Sequence, residues 1–153
     1  MNATPPFDLA DGHRWFAADC FNRAWTLIEK VSRTPEEDEA MISLAHASLC
    51  HWREHDDCTS RNLSIGYWQL ARIYALVDQA ANARHYGQLC LDVSEGDGPF
   101  HLGYAHEALA RAEKLVGNAL ATSEHLAAAR AFAAQVDDDE QRAMLEKDLD
   151  ELE

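Results

Sequence analysis

Glycine and proline are scarce in this chain, at seven and four of 153 residues, and no segment alternates apolar and polar residues for long. With β-branched residues also sparse, strands have little to be built from, and the helix-breaking residues are too few to interrupt long helices. No apolar run approaches the ~18 residues of a membrane span, and the opening stretch MNATPPFDLADGH has no basic region followed by an apolar one. A cytoplasmic protein without a membrane partner is expected. Basic residues are short as well: 13 Lys and Arg face 27 Asp and Glu, a formal charge of −14. Such a surface repels phosphate backbones, so nucleic acid is not an expected partner. The four cysteines, Cys20, Cys50, Cys58 and Cys90, are scattered and form no C-x-x-C pair. They suit free thiols in a reducing compartment. A G-x-S-x-G elbow, a phosphate-cradling glycine loop and a nucleophile set beside a base are all lacking, which leaves no signature of an enzyme or of a cofactor.

Present instead are Ala, Leu, Glu and Arg at spacings of three and four, in a chain with 47% hydrophobic residues and 26% charged ones. The pattern predicts a single all-α domain over 1–153, long enough to bury roughly 68–70% of its unfolded surface around one core. Helix one follows TPPFD and runs to about Ser32, with Phe16, Cys20, Ala24, Leu27 and Val31 on its stripe. RTPEEDE holds the clearest helix start, with Thr34 as N-cap and Pro35 in the first turn. Helix two runs to about Glu54. LSIGYWQLARIYALV, QAANARHYGQLCLDV, FHLGYAHEALARAEKLV and ATSEHLAAARAFAAQV supply four more, and DDDE caps a seventh. Short connections between successive helices imply antiparallel hairpins at about 8–55, 60–94 and 99–136, with a capping helix at about 138–152.

These hairpins repeat one another. Tyr67, Leu70, Ala71 and Tyr74 on the first helix of the middle pair, with Ala83 and Cys90 on the second, resemble the pattern of a tetratricopeptide repeat. Gly87 stands where that pattern has an aromatic, with Tyr86 beside it, and Glu95 stands where its closing proline belongs. Leu109, Ala110, Glu113, Gly117, Thr122, Leu126 and Ala129 follow the same frame, as do Phe21, Asn22, Trp25, Ala40, Leu44 and Ala47. The likeness extends to small bacterial tetratricopeptide-like proteins of unassigned role. It implies stacked hairpins in an α-solenoid, closed by a polar cap helix and offering a concave groove to a protein or peptide.

HWREH, from His51 to His55, spells H-x-x-E-H, the motif of a zinc hydrolase in which Glu54 would act on metal-bound water. Helical spacing puts both histidines beside the line Met41, Ala45, Ser48 and Trp52. No third ligand is evident, and no sheet is readable to form a cleft. The expected role of His51 and His55 is therefore packing at the edge of the core beside Trp52.

Each first helix carries an arginine after its small residue: Arg23 in FNRAW, Arg72 in LARIY, Arg111 in LARAE. In the tetratricopeptide frame that position faces the groove. One turn earlier stand Asp19, Trp68 and Glu107, at the spacing of an ion pair or, for Trp68, a cation–π contact. Arg72, Arg111 and Lys114 are expected to accept a carboxylate, between Trp68 and Tyr104 as apolar walls. The expected partner is a protein or peptide bearing acidic groups or a C-terminal carboxylate. The alternatives are a small acidic ligand in a closed pocket, or a second copy of the chain in the groove.

Overall fold

The computed structural model describes residues 4–153, and among these there are seven helices and no strand. They are α1 (Leu9–Ile28), α2 (Pro35–Arg53), α3 (Ser60–Leu76), α4 (Ala80–Ser94), α5 (Pro99–Leu115), α6 (Ala119–Ala133) and α7 (Asp139–Asp150). Among the described residues, no helix is long and apolar enough to cross a membrane.

Side chains at the helix starts fix most of these boundaries. Asp8 caps α1 through the Asp11 amide at 3.0 Å. Thr34 and Glu37 form a reciprocal capping box on α2, and Thr59 forms one with Asn62 on α3, which starts that helix three residues before the apolar run. Asp138 caps α7. The first helix is shorter than its pattern suggests. It ends at Ile28 and is followed by a turn in which Arg33 donates to the Leu27 and Lys30 carbonyls. Val31 therefore lies beyond the helix, fully exposed, and Phe16 is 42% exposed. The buried stripe is Ala17, Cys20, Ala24 and Ile28.

Successive helices pack as hairpins α1–α2, α3–α4 and α5–α6. The backbones of odd helices approach one another, α1 to α3, α3 to α5 and α5 to α7, whereas those of the even helices stay apart among the described residues and α2 meets α4 through side chains, His46 against Tyr86 with ring centroids 5.6 Å apart. The odd helices therefore form the closer-packed, inner row of the array. The middle and last hairpins repeat in strict register: α5 starts 39 residues after α3, and α6 starts 39 after α4. Both turns use a positive φ, at Asp78 (59°) and Gly117 (70°); Asp is among the few side chains that tolerate it.

Small residues set the close approaches. A Cβ on Gly87 would meet Leu109 Cδ2 at 3.0 Å, so this gap in the repeat pattern is where α5 seats its leucine against α4. Tyr86 supplies the aromatic instead, stacked on Tyr74 with centroids 5.5 Å apart. Leu70 and Ile73 are wholly buried between the hairpins. Three interior polar side chains are paired here: Ser64 with Ser94 at 2.8 Å, Ser48 with the Ala17 carbonyl at 2.7 Å, and Gln69 with the Phe21 carbonyl at 3.1 Å. Burial pushes the Cys90 thiol, enclosed beside these serines, up to about 11. All four cysteines are free.

Candidate functional site

The 39-residue register explains how the central arginines meet. Arg72 and Arg111 occupy equivalent positions of α3 and α5, each following a buried alanine, Ala71 or Ala110, that lets the helices lie close. Trp68 and Glu107 are likewise equivalent and lie one turn earlier. Glu107 is fully buried. Its Oε1 accepts from Arg111 Nε at 2.8 Å and Nη2 at 2.5 Å, its Oε2 accepts from the Trp68 indole N–H at 2.9 Å, and Arg72 Nη1 stands 3.7 Å from Oε1. Two guanidiniums thus face one buried carboxylate. Trp68 acts here as a hydrogen-bond donor to Glu107, in place of the cation–π contact with Arg72 that the spacing suggested. Its ring lies between Trp25 of α1, centroids 5.6 Å apart, and Tyr104 of α5, 5.2 Å apart.

The positive charge left over meets a second carboxylate from just beyond α7. Glu151 Oε2 is 3.7 Å from Arg72 Nη2 and 4.0 Å from Arg111 Nη2. These distances are ionic contacts without hydrogen bonds. Arg72 Nε and Nη1 are buried and make no hydrogen bond among the described residues. Lys114 donates to the Leu152 carbonyl at 2.5 Å, and Tyr104 donates to Asp148 of α7 at 2.8 Å. Burial, then the Asp148 charge, pushes the Tyr104 phenol far above its ordinary value, so it serves as a fixed donor.

Arg23 does not join this strip. It is largely exposed on α1 and reaches only Asp19, at 3.4 Å. The first hairpin has a longer turn and lacks the 39-residue register, so its arginine falls outside the row formed by the other two. The structure brings together Trp68, Arg72, Tyr104, Glu107, Arg111 and Lys114. It adds Trp25, Asp148, Glu151 and Leu152, which local spacing could not assign to this place, because their position depends on where α7 docks.

Open space borders the strip. A hollow of about 300 Å³ lies between Leu76, Arg111, Lys114, Leu115 and Glu151. Farther along the inner row, Ile65, Trp68, Phe100, Tyr104 and Met144 line an apolar hollow of about 170 Å³.

The histidines of HWREH separate. His51 packs on Phe16, and its Nδ1 lies 2.9 Å from His13 Nδ1. His55 is buried edge-on to Trp52, with Nδ1 accepting the Asp57 amide at 3.1 Å. Glu54 is exposed at the helix end. Among the described residues, no group of three or more His, Cys, Asp or Glu is gathered as a metal site. A second histidine pair, His106 and His125, joins α5 to α6 with Nδ1 atoms 3.0 Å apart.

One ring of each pair must be the neutral acceptor, so a second proton on either pair sets two donors face to face. Burial lowers the pKa of His51, His106 and His125, and the neighbouring histidine lowers His51 and His106 further. The unfolded chain therefore binds more protons than the folded chain below about pH 6.5, and stability falls as pH drops through that window. The depressed carboxylates Glu37 and Glu113 add their loss only below their ordinary value of 4.5. Melting temperature should decline from pH 7 to pH 5, and His51→Gln with His106→Gln should flatten the decline. A flat wild-type profile would refute this assignment.

Comparison with protein-family models, curated proteins and solved structures gives no match to this chain.

Proposed function

We propose that the chain is a non-catalytic binding module of tetratricopeptide-like design, taking an acidic segment of a cytoplasmic protein or peptide on its inner face. The observation that supports this most is the weakly held outer side of the strip: Arg72 and Arg111 share the buried Glu107, and their remaining charge is met by the half-exposed Glu151 at 3.7 and 4.0 Å without a hydrogen bond. A part-buried guanidinium whose outward nitrogen has only a long ionic contact gains from a closely seated carboxylate more than an exposed one does. Lys114 extends the positive strip, and Trp68 and Tyr104 supply the apolar flank. The strongly acidic remainder of the surface repels bulk polyanions, so selection falls to short acidic segments that fit the hollow.

Anisotropy titration of a fluorescein-labelled peptide with Glu-Leu-Glu at its centre tests this directly. Saturable binding that weakens as salt is raised is expected, because the attraction is ionic. Lys114→Glu should weaken it by about fivefold or more, at the scale of one partly exposed ion pair turned repulsive. Arg23→Glu, outside the strip, should leave it unchanged. Equal effects of the two variants, or no saturation, would count against the proposal.

A further inference from the structure

The segment that follows α7 is built like a ligand of the strip. Asp148, Asp150, Glu151 and Glu153 are interspersed with Leu149 and Leu152; Tyr104 holds Asp148, and four cations receive the residues that follow. Glu151 lies between Arg72 and Arg111, the Leu152 carbonyl accepts from Lys114, and Arg130 of α6 donates to Asp150 at 2.6 Å and to Glu153 at 2.7 Å. Leu152 is 5% exposed, yet its surroundings are open. Hollows of about 300 Å³ and 600 Å³ flank it, and both are lined by Lys114 and Leu152. Leu152 is thus docked, but at the rim of open space rather than inside the core. The ionic contacts are long at the arginines, and Glu151 remains 48% exposed. Water and salt therefore compete with them readily.

We infer that residues 150–153 are an exchangeable resident of the arginine strip, and that the external partner is a segment of the same chemistry, with carboxylates on either side of a leucine. The inference rests on the binding function proposed above and adds that the site is closed by its own chain until such a segment displaces it. Glu151 and the incoming carboxylate compete for the same guanidinium nitrogens, so the apparent affinity is the intrinsic one multiplied by the fraction of chains in which 150–153 has left.

The probe is a labelled synthetic peptide Glu-Lys-Asp-Leu-Asp-Glu-Leu-Glu, the sequence of residues 146–153, added to the full chain, to Glu151→Gln and to Leu152→Ala. Amide hydrogen exchange of residues 150–153 is followed in parallel on each protein without peptide. Both variants should exchange faster over this segment and bind the peptide about tenfold more tightly than wild type, with unchanged helical content. Unchanged exchange in both variants would show that neither side chain holds the segment and would overturn the inference. Faster exchange with equal affinity for all three proteins would also overturn it while leaving the binding function standing. Failure of all three to bind, with the segment visibly released, would remove the binding function and the inference with it.

Discussion

Glu107→Ala should destabilise the protein by about 3–5 kcal/mol, the usual cost of removing one member of a buried ion pair. In a chain of this length that is a fall of roughly 10 °C or more in melting temperature. The cause is what remains. Arg72 and Arg111, with side chains 16% and 17% exposed, would face each other without the shared carboxylate, and the Trp68 indole would lose its acceptor. Glu107→Gln keeps an acceptor for the indole and should lose less. Adding Arg72→Met and Arg111→Met to Glu107→Ala should recover most of the loss, because well-packed apolar side chains are no worse than a buried charged cluster. A triple variant as unstable as Glu107→Ala would mean that the arginines contribute by packing alone. The same geometry makes Arg72→Glu with Arg111→Glu a poor probe of binding. It would put three carboxylates together around a buried one and endanger the fold itself.

Undocking of α7 gives the second large effect. Leu145 and Leu149 are fully buried, and Leu145 fits where Gly103 of α5 has no side chain; a Cβ there would overlap Leu145 Cδ2. Leu145→Ala or Leu149→Ala should each cost about 2–5 kcal/mol. The double variant should lose less than the sum. Once the docking energy of α7 is exhausted the helix detaches, and the hairpins beneath it keep their own core. Gly103→Val drives the same detachment from the other side of the contact. Native-state hydrogen exchange should show α7 amides rising to near-unprotected rates in the double variant and in Gly103→Val, while α3 and α4 stay protected. Loss of protection across all helices at once would show that α7 belongs to a single cooperative unit. Detachment also uncovers Tyr104 and the arginine strip, so these variants should bind acidic peptide more tightly than wild type if the resident segment competes for the strip.

Much of the architecture is legible in the sequence because its signals are local. Caps such as Thr34 and Asp138, the turn at Gly117, and helical spacing need only neighbouring residues to be read. The end of α1 departs from its apolar spacing for a local reason too. Val31 continues the apolar spacing, but the turn closed by Arg33 lies between it and the helix. Gly87 breaks the repeat pattern locally and is a seat for Leu109, a role that depends on α5 being in place. Within the site, Trp68, Arg72, Glu107 and Arg111 could be grouped because repetition at 39 residues turns sequence equivalence into adjacency. Arg23 lacks that register and lies elsewhere. Glu151 and Leu152 could be read as part of a polar cap helix, but nothing local tells that the cap reaches back across α5 to the arginine of α3.

The most direct measurement follows the guanidinium Nε–Hε resonances of Arg72 and Arg111 in ¹⁵N-labelled Glu151→Gln protein as the acidic peptide is added. If the strip accepts a carboxylate, these two signals should shift together, saturate with the same dissociation constant as the anisotropy change, and exchange more slowly with water, while Arg23 stays still. Saturable binding that leaves both signals unmoved would place the peptide elsewhere and contradict a carboxylate acceptor at this site.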